Sequence, residues 1–281
     1  MKIAISTEST CDLSKELIER YDVKIVPYKI QLGDRSFFDG ELSTPEILEL
    51  AERNKELPKT SAVNELEFTE HFEKLRREYD GIIHISLSSK ITAATANATK
   101  IAKQFDNVYV IDSLSLSSGL GLLVRQACIL AESGVAIEDI CTRLEERKKY
   151  IQASFVIERL DYLYKGGRCS SLAYFGANLL KLRPRIVMRD GQMRSDNKFR
   201  GPIERVVEKY CQSVLEDFDT PDLDCVFITY TTATEGMVAA ARTACENAGF
   251  NNIYETHAGG TIASHCGGHT LGILYFNDGN K

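Results

Sequence analysis

Hydroxyl side chains gather where an apolar run ends. Residues 81–100 read GIIHISLSSKITAATANATK. Ile82, Ile83 and Ile85 have the pattern of a strand, and Ser86, Ser88, Ser89, Thr92 and Thr95 follow. Lys90 is the one charge among those hydroxyls, and Ala93, Ala94, Ala96 and Ala98 read as helix. A helix start presents unpaired N–H groups and a partial positive charge, so hydroxyls beside it suit a carboxylate or phosphate. Plain capping by Ser89 or Thr92 is the competing reading, although a cap uses one hydroxyl and five are present. A second pair, Thr60 and Ser61 in PKTSAVNELEF, follows Pro58 in what reads as a loop before a helix; turn and cap chemistry is again the alternative.

Two glycine-bearing stretches add candidates. YKGGRCSS, residues 164–171, sets Gly166-Gly167 before Arg168, whose guanidinium can fork onto a carboxylate or phosphate. The same residues also read as a helix C-cap with a surface arginine. HAGGTIASHCGGHT, residues 257–270, holds three of the five histidines. The spacing of His265, Cys266 and His269 matches no common structural zinc site, so no metal is expected. His265 reads either as a hydrogen-bonding group in a ligand site or as a packed turn histidine, and a Cys266–His nucleophilic pair is a further reading. SGLGLL at Ser118–Leu123 has Val124 where GxGxxG needs its third glycine, and no P-loop, GxSxG or HExxH is present. The residues alone define an anion-friendly point without a clear catalytic set.

The elements that must position these residues alternate strand and helix in the first half. Strands are predicted at Lys2–Ser6, Val23–Leu32, with Pro27 marking an edge or bulge, at the quoted run, and at Val108–Ile111. Helices are predicted at Leu13–Tyr21, from Thr44-Pro45, and over Glu65–Tyr79, Ser117–Glu132 and Ile137–Tyr150. That order implies parallel strands with right-handed crossovers, which bind ligands beyond their carboxyl ends. The second half differs. Asp190-Gly191 joins two strands as a hairpin, helices are expected near Ile203–Glu216 and Glu235–Ala248, and strands near Cys225–Thr229, Asn252–Thr256 and Leu271–Phe276. The expectation is an α/β protein of two domains, 1–155 with a mostly parallel sheet and 156–281 with a mixed sheet, and a ligand site between them.

Composition agrees with this class. A 281-residue chain with 43% hydrophobic and 26% charged residues can bury sizeable cores. Its net charge of −6 argues against nucleic-acid or anionic-membrane binding. No apolar run reaches membrane-span length, and MKIAISTEST leads straight into a strand, so a cytoplasmic protein without integral membrane association is expected. The eight cysteines form no CxxC pair and read as reduced core residues.

In order, these stretches resemble the DegV family of bacterial fatty-acid-binding proteins over nearly the whole chain. ISTESTCDL is similar to the family's T-D-S-T-x-D-L, PKTSAV to P-x-T-S-x-P, and ISLSSKITAATANA to I-x-x-S-S-x-L-S-G-T-Y-x-S-A. VIDSLSLSSGLG resembles its V-I-D-S segment, and LDYLYKGGRCS its L-x-Y-L-x-K-G-G-R-I-S. LRPRIVMRDGQM and NKFRG follow the K-P-I-L hairpin and the lysine–arginine element, and ASHCGGHTLGI resembles H-T-G-P-G-x-L-G. The resemblance implies a two-domain α/β fold that binds one long-chain fatty acid between the domains and needs no cofactor. It implies a protein without catalysis of its own, which presents the carboxylate to a separate fatty acid kinase for acyl-phosphate formation in phospholipid synthesis. By resemblance the carboxylate contacts are Thr60, Thr92 and His265, with Ser61 and Ser89 in support. Arg168 and Arg200 map to the charged mouth or the kinase contact. Departures bear on head-group geometry and chain preference: Thr92 for serine, Ala93 for glycine, Ala94 for threonine, Glu8 for aspartate, Val63 for proline, and Cys266, Gly268 and His269 in the last stretch. Two other classes stand beside this reading, a stand-alone hydrolase using Cys266 or His265, and a binder of another anionic lipid or small phosphorylated metabolite.

Overall fold

The computed structural model describes residues 1–169 and 182–279; Ser170 and Ser171 of the Gly-Gly-Arg stretch lie outside the described residues. The chain is an α/β protein. Among the described residues, its strands form three sheets.

The first sheet is wholly parallel. Strands β1 (Ile3–Glu8), β2 (Lys24–Val26), β6 (Gly81–Ser86) and β7 (Val108–Asp112) lie in the order β2-β1-β6-β7. Every residue of β6 is buried, as expected of a strand covered on both faces. Helices α1 (Lys15–Arg20), α3 (Glu65–Arg76), α4 (Ala94–Ala102) and α6 (Ile137–Arg147) flank it.

The predicted strand over 23–32 is two strands in different sheets. Pro27 lacks an N–H for the ladder, and the chain leaves the parallel sheet there. After it, β3 (Lys29–Leu32) lies between β4 (Arg35–Phe38) and β5 (Lys59–Ser61) in a small antiparallel sheet. Thr60 and Ser61, read as loop, are therefore strand residues. Helix α2 (Thr44–Asn54) begins with the Ser43/Glu46 capping box and Pro45. It packs Ile47 and Ala51 on Ile30, Leu32 and Phe37.

The third sheet is mixed. Its order is β10-β9-β8-β13-β11-β12, comprising β8 (Ile151–Val156), β9 (Arg183–Arg189), β10 (Gln192–Phe199), β11 (Cys225–Tyr230), β12 (Asn252–His257) and β13 (Leu271–Phe276). Only the β11–β12 pair is parallel. The β9–β10 turn has positive φ at Asp190 (52°) and Gly191 (78°), as a two-residue primed turn requires. Helices α8 (Ile203–Asp217) and α9 (Glu235–Asn247) cover this sheet through Val206, Tyr210, Val214 and Met237. Strand β8, on which the expected boundary at 155 falls, is internal to this sheet, paired with β9 on one side and β13 on the other.

Helix α5 (Ser117–Glu132) lies between the parallel and mixed sheets and touches strands of both. It is buried nearly all round, which fits its apolar sequence. Gly119 and Gly121 serve packing: a Cβ on the first would meet Ala153 at 3.1 Å, and one on the second the Cys11 carbonyl oxygen at 2.8 Å. One hydrophobic core therefore runs through both units, from Ile5 and Ile83 to Phe155 and Leu274. All eight cysteines are free thiols. No helix among the described residues is long and apolar enough to cross a membrane.

Two short helices occupy stretches that read as glycine-rich turns. Helix α7 (Leu160–Gly166) ends on Gly167 in the left-handed region (φ 69°), so the C-cap reading of Gly-Gly holds. Helix α10 (Gly260–Cys266) presses on α2 and β3. A Cβ on Gly260 would collide with Ile47 and lie 2.7 Å from Ile30 Cδ1. Gly260→Ala is expected to cost about 1–3 kcal/mol by overpacking this contact, read as a lower denaturant midpoint; an unchanged midpoint would mean that the helix can move away freely.

Candidate functional site

The carboxyl end of β6, strand β5 and helix α10 converge on a chamber of about 190 Å³. Tyr28, Thr60, Thr92 and His265 form a polar patch on its wall, and Leu87, Ile91, Leu116, Met193 and Ile262 supply apolar surface. The lining comes from both units of the fold.

Of the five hydroxyls from the end of β6 to Thr95, one lines the chamber. Ser86 donates to the fully buried Glu8 carboxylate (2.5 Å), which also accepts from Leu87 N (3.0 Å) and contacts His84 (3.3 Å). Thr95 donates back to the Leu87 carbonyl (2.5 Å), and Ser88 to the Gly191 carbonyl of the β9–β10 turn (2.7 Å). These bonds fix the loop to the parallel sheet and to the mixed sheet. Ser89 is exposed and sits outside, in a vestibule of about 530 Å³ that it shares with Lys90, Arg168 and Gln192. Thr92 remains. Its Oγ1 lies 2.8 Å from Tyr28 Oη and accepts from Ala94 N at 3.2 Å.

Thr60 reaches the chamber because β5 alternates its faces: Thr60 and Ala62 line the wall, and Ser61 between them is exposed and does not. Thr60 Oγ1 lies 2.8 Å from His265 Nε2. The imidazole packs on Gly166, where a Cβ would come within 2.6 Å of Nδ1. Neither His265 Nδ1 nor Thr261 Oγ1 has a hydrogen-bond partner among the described residues. Burial, reinforced by the positive charge of Arg168, pulls the His265 pKa down to about 4. His265 is thus neutral near pH 7, and Nε2–H can donate to Thr60. If Tyr28 donates to Thr92 as well, both threonine oxygens are filled from behind and both O–H groups are free to point into the chamber.

Arg168 is exposed and lines both chamber and vestibule. Arg200 is also exposed but lies beyond the far end of β10, roughly 20 Å along the strand from Met193 at the chamber wall. It is not brought to the site. Cys266 lines the chamber, but burial pushes its thiol up to about 12, which leaves no thiolate at neutral pH.

Sequence reasoning missed Tyr28, Leu116, Met193 and Ile262, and the carboxylates that hold α10. Pro27 was the one local signal, since the break it makes delivers Tyr28 to the chamber. Asp12 accepts from Gly259 N (2.8 Å) and Ser117 Oγ (2.5 Å). Burial raises Asp12 to about 8 despite those two bonds.

The fold and site define a two-unit α/β protein with a mostly enclosed chamber where the units meet. The chain belongs to the DegV family, whose model, described as "Uncharacterised protein, DegV family", matches residues 2–278. It is 34% identical over 222 residues to a DegV domain-containing protein of Clostridium perfringens, covering 78% of each chain. It is 32% identical over 229 residues to a protein of Thermotoga maritima described as a fatty acid-binding protein, covering 79% of this chain and 78% of that one. Among solved structures it is similar to a Thermus thermophilus DegV family protein described by its fatty acid binding. The TM-score is 0.89 at 26% identity, covering 98% and 99% of the two chains. It is also similar to Bacillus subtilis DegV, described as a fatty acid binding protein (TM-score 0.86, 26% identity, 98% and 99% covered).

The low His265 pKa sets a pH dependence. Between pH 6.5 and about 4 the unfolded chain takes up a proton at this residue and the folded chain does not, so stability falls as pH falls through that window. His71, held at about 3 by burial, acts in the same direction, and Asp12 acts in the opposite one. His265→Gln is expected to make the net dependence between pH 7 and 5 less acid-destabilising than in the wild type, measured as urea midpoints; parallel curves would show that His265 titrates normally.

Proposed function

We propose that the protein binds one long-chain fatty acid between its two units, with its carboxylate in this chamber at Thr60, Thr92 and His265, and presents that carboxylate to a separate fatty acid kinase. The observation that carries the reading is the pairing of Thr60 with His265 and of Thr92 with Tyr28 at one patch of an otherwise apolar wall. A carboxylate removed from water without donors is very costly, and the two threonine O–H groups, with His265 Nε2–H directed to the Thr60 oxygen behind one of them, can supply hydrogen bonds without a buried counter-cation. The acyl chain contributes affinity at about 0.8 kcal/mol per buried CH₂, and the polar patch contributes orientation. The fatty acid binding described for the Thermotoga, Thermus and Bacillus relatives supports the same ligand class.

In this reading the chain is a carrier and performs no phosphoryl transfer. The exposed vestibule, with Lys90 and Arg168 at the chamber's opening, gives a kinase access to the head group, and Arg200 offers a more distant contact. The setting would be the cytoplasm, with the acyl-phosphate passing to phospholipid synthesis. A hydrolase built on Cys266 is disfavoured by its buried, protonated thiol. A small phosphorylated metabolite is disfavoured by the apolar walls and the neutral His265.

Solvent extraction of the purified protein with mass spectrometry, together with native mass spectrometry of the intact complex, tests the ligand. A stoichiometric fatty acid is expected; an empty protein that takes up no added palmitate or oleate overturns the reading. Thr60→Val, Thr92→Val and His265→Ala are each expected to weaken palmitate binding roughly tenfold, or about 1.4 kcal/mol, with the fold retained. Unchanged affinity in all three would remove these residues from the site.

A further inference from the structure

Both halves of the polar patch hang from one side chain that does not touch the chamber. Asp39 follows β4 in the first unit. Its carboxylate accepts from Gly260 N at 2.8 Å and Thr261 N at 3.2 Å, the first two residues of α10 in the second unit. Helix α10 carries Ile262 and His265 into the chamber. The same carboxylate accepts from Ser9 Oγ at 2.9 Å, and Ser9 Oγ accepts from Tyr28 N at 3.2 Å. The Asp39 N–H closes the ring by donating to the Tyr28 carbonyl at 2.9 Å. One residue thereby holds the backbone of Tyr28, which orients Thr92, and the first turn of the helix whose last turn orients Thr60 through His265.

We infer that Asp39 is a positioning residue for the head-group site, setting the Tyr28–Thr92 pair and the Thr60–His265 pair in register across the junction of the two units. A carboxylate suits the task because it is acceptor-only, and its charge is favourable at the N-terminal end of a helix. An amide in its place would turn an NH₂ group toward one of the N–H donors. The ring also explains why Asp39 is spaced from the chamber: its effect is on geometry, through backbone it grips on both sides.

This inference rests on the fatty-acid reading, and the experiment separates the two. Affinities for palmitic acid and for hexadecan-1-ol, which share a chain and differ in the head group, are measured for the wild type, Asp39→Asn, the milder Ser9→Ala, His265→Ala, and the double variant Asp39→Asn/His265→Ala. Thermal unfolding of each reports folding. The expected result is a fall of about tenfold in the acid-to-alcohol affinity ratio for Asp39→Asn and a smaller fall for Ser9→Ala. In the His265→Ala background the effect of Asp39→Asn on the ratio should shrink, because the two residues act through one contact. Equal losses for acid and alcohol, or an Asp39→Asn effect as large without His265 as with it, would overturn the positioning role. If Asp39→Asn does not fold, an unchanged ratio in folded Ser9→Ala overturns it. A wild-type protein that binds neither ligand, or does not prefer the acid, overturns the fatty-acid reading and this inference with it.

Discussion

The site depends on a short helix being pressed into place by the other unit of the fold. Helix α10 has seven residues, begins with glycine, and contacts α2 and β3 so closely that Gly260 has no room for a side chain. Such a helix has little stability of its own, since nucleation is costly and glycine is a poor helix former. Its first two N–H groups are taken by Asp39, and that of the preceding Gly259 by Asp12, both from distant parts of the chain. The polar patch is thus a property of the junction between the two units.

A division of labour among hydroxyls follows from the cost of burying them. Each buried hydroxyl must find a partner, and most found one within the scaffold. Ser86 and Thr95 satisfy Glu8 and a strand-end carbonyl, and Ser88 ties the loop to the β9–β10 turn. Those bonds hold Thr92 at the wall, with its oxygen accepting from behind. Neither Ser89 nor Thr92 is the N-cap of α4, which is Ala93 without a side-chain cap bond; most of the cluster serves the scaffold, and Thr92 is the member left at the chamber wall.

The charge distribution is graded from outside inward. Lys90 stands in the vestibule, Arg168 where vestibule and chamber meet, neutral hydroxyls and a neutral imidazole form the chamber's polar patch, and the Glu8 carboxylate is buried behind the loop with its own donors. The cations can attract an anion to the opening at long range. Within the chamber, hydrogen bonds take over, and they discriminate by geometry where a buried lysine would act chiefly as a point charge.

Much of the fold was legible in the sequence, because long periodic segments carry their own signal. Helix α5 was predicted at its observed bounds, the β9–β10 hairpin from Asp190-Gly191, and the parallel first half from its alternation of strand and helix. The ordered motifs brought Thr60, Thr92 and His265 forward, and the structure gathers all three at one chamber. Local sequence did not decide which of Thr60 and Ser61 faces inward: a three-residue strand shows no periodicity, and its register is set by pairing with β3. Nor did it show that Pro27 sends the chain into a second sheet, or that β8 belongs to the mixed sheet. It did not reveal Tyr28, Asp12 or Asp39, whose roles include contacts with residues as far as 64, 247 and 221 positions away, respectively. Composition and spacing determined the elements and the chemistry at hand. Only the tertiary structure decided which hydroxyls remain free for a ligand, because a hydroxyl's freedom depends on whether some distant part of the chain has already claimed it.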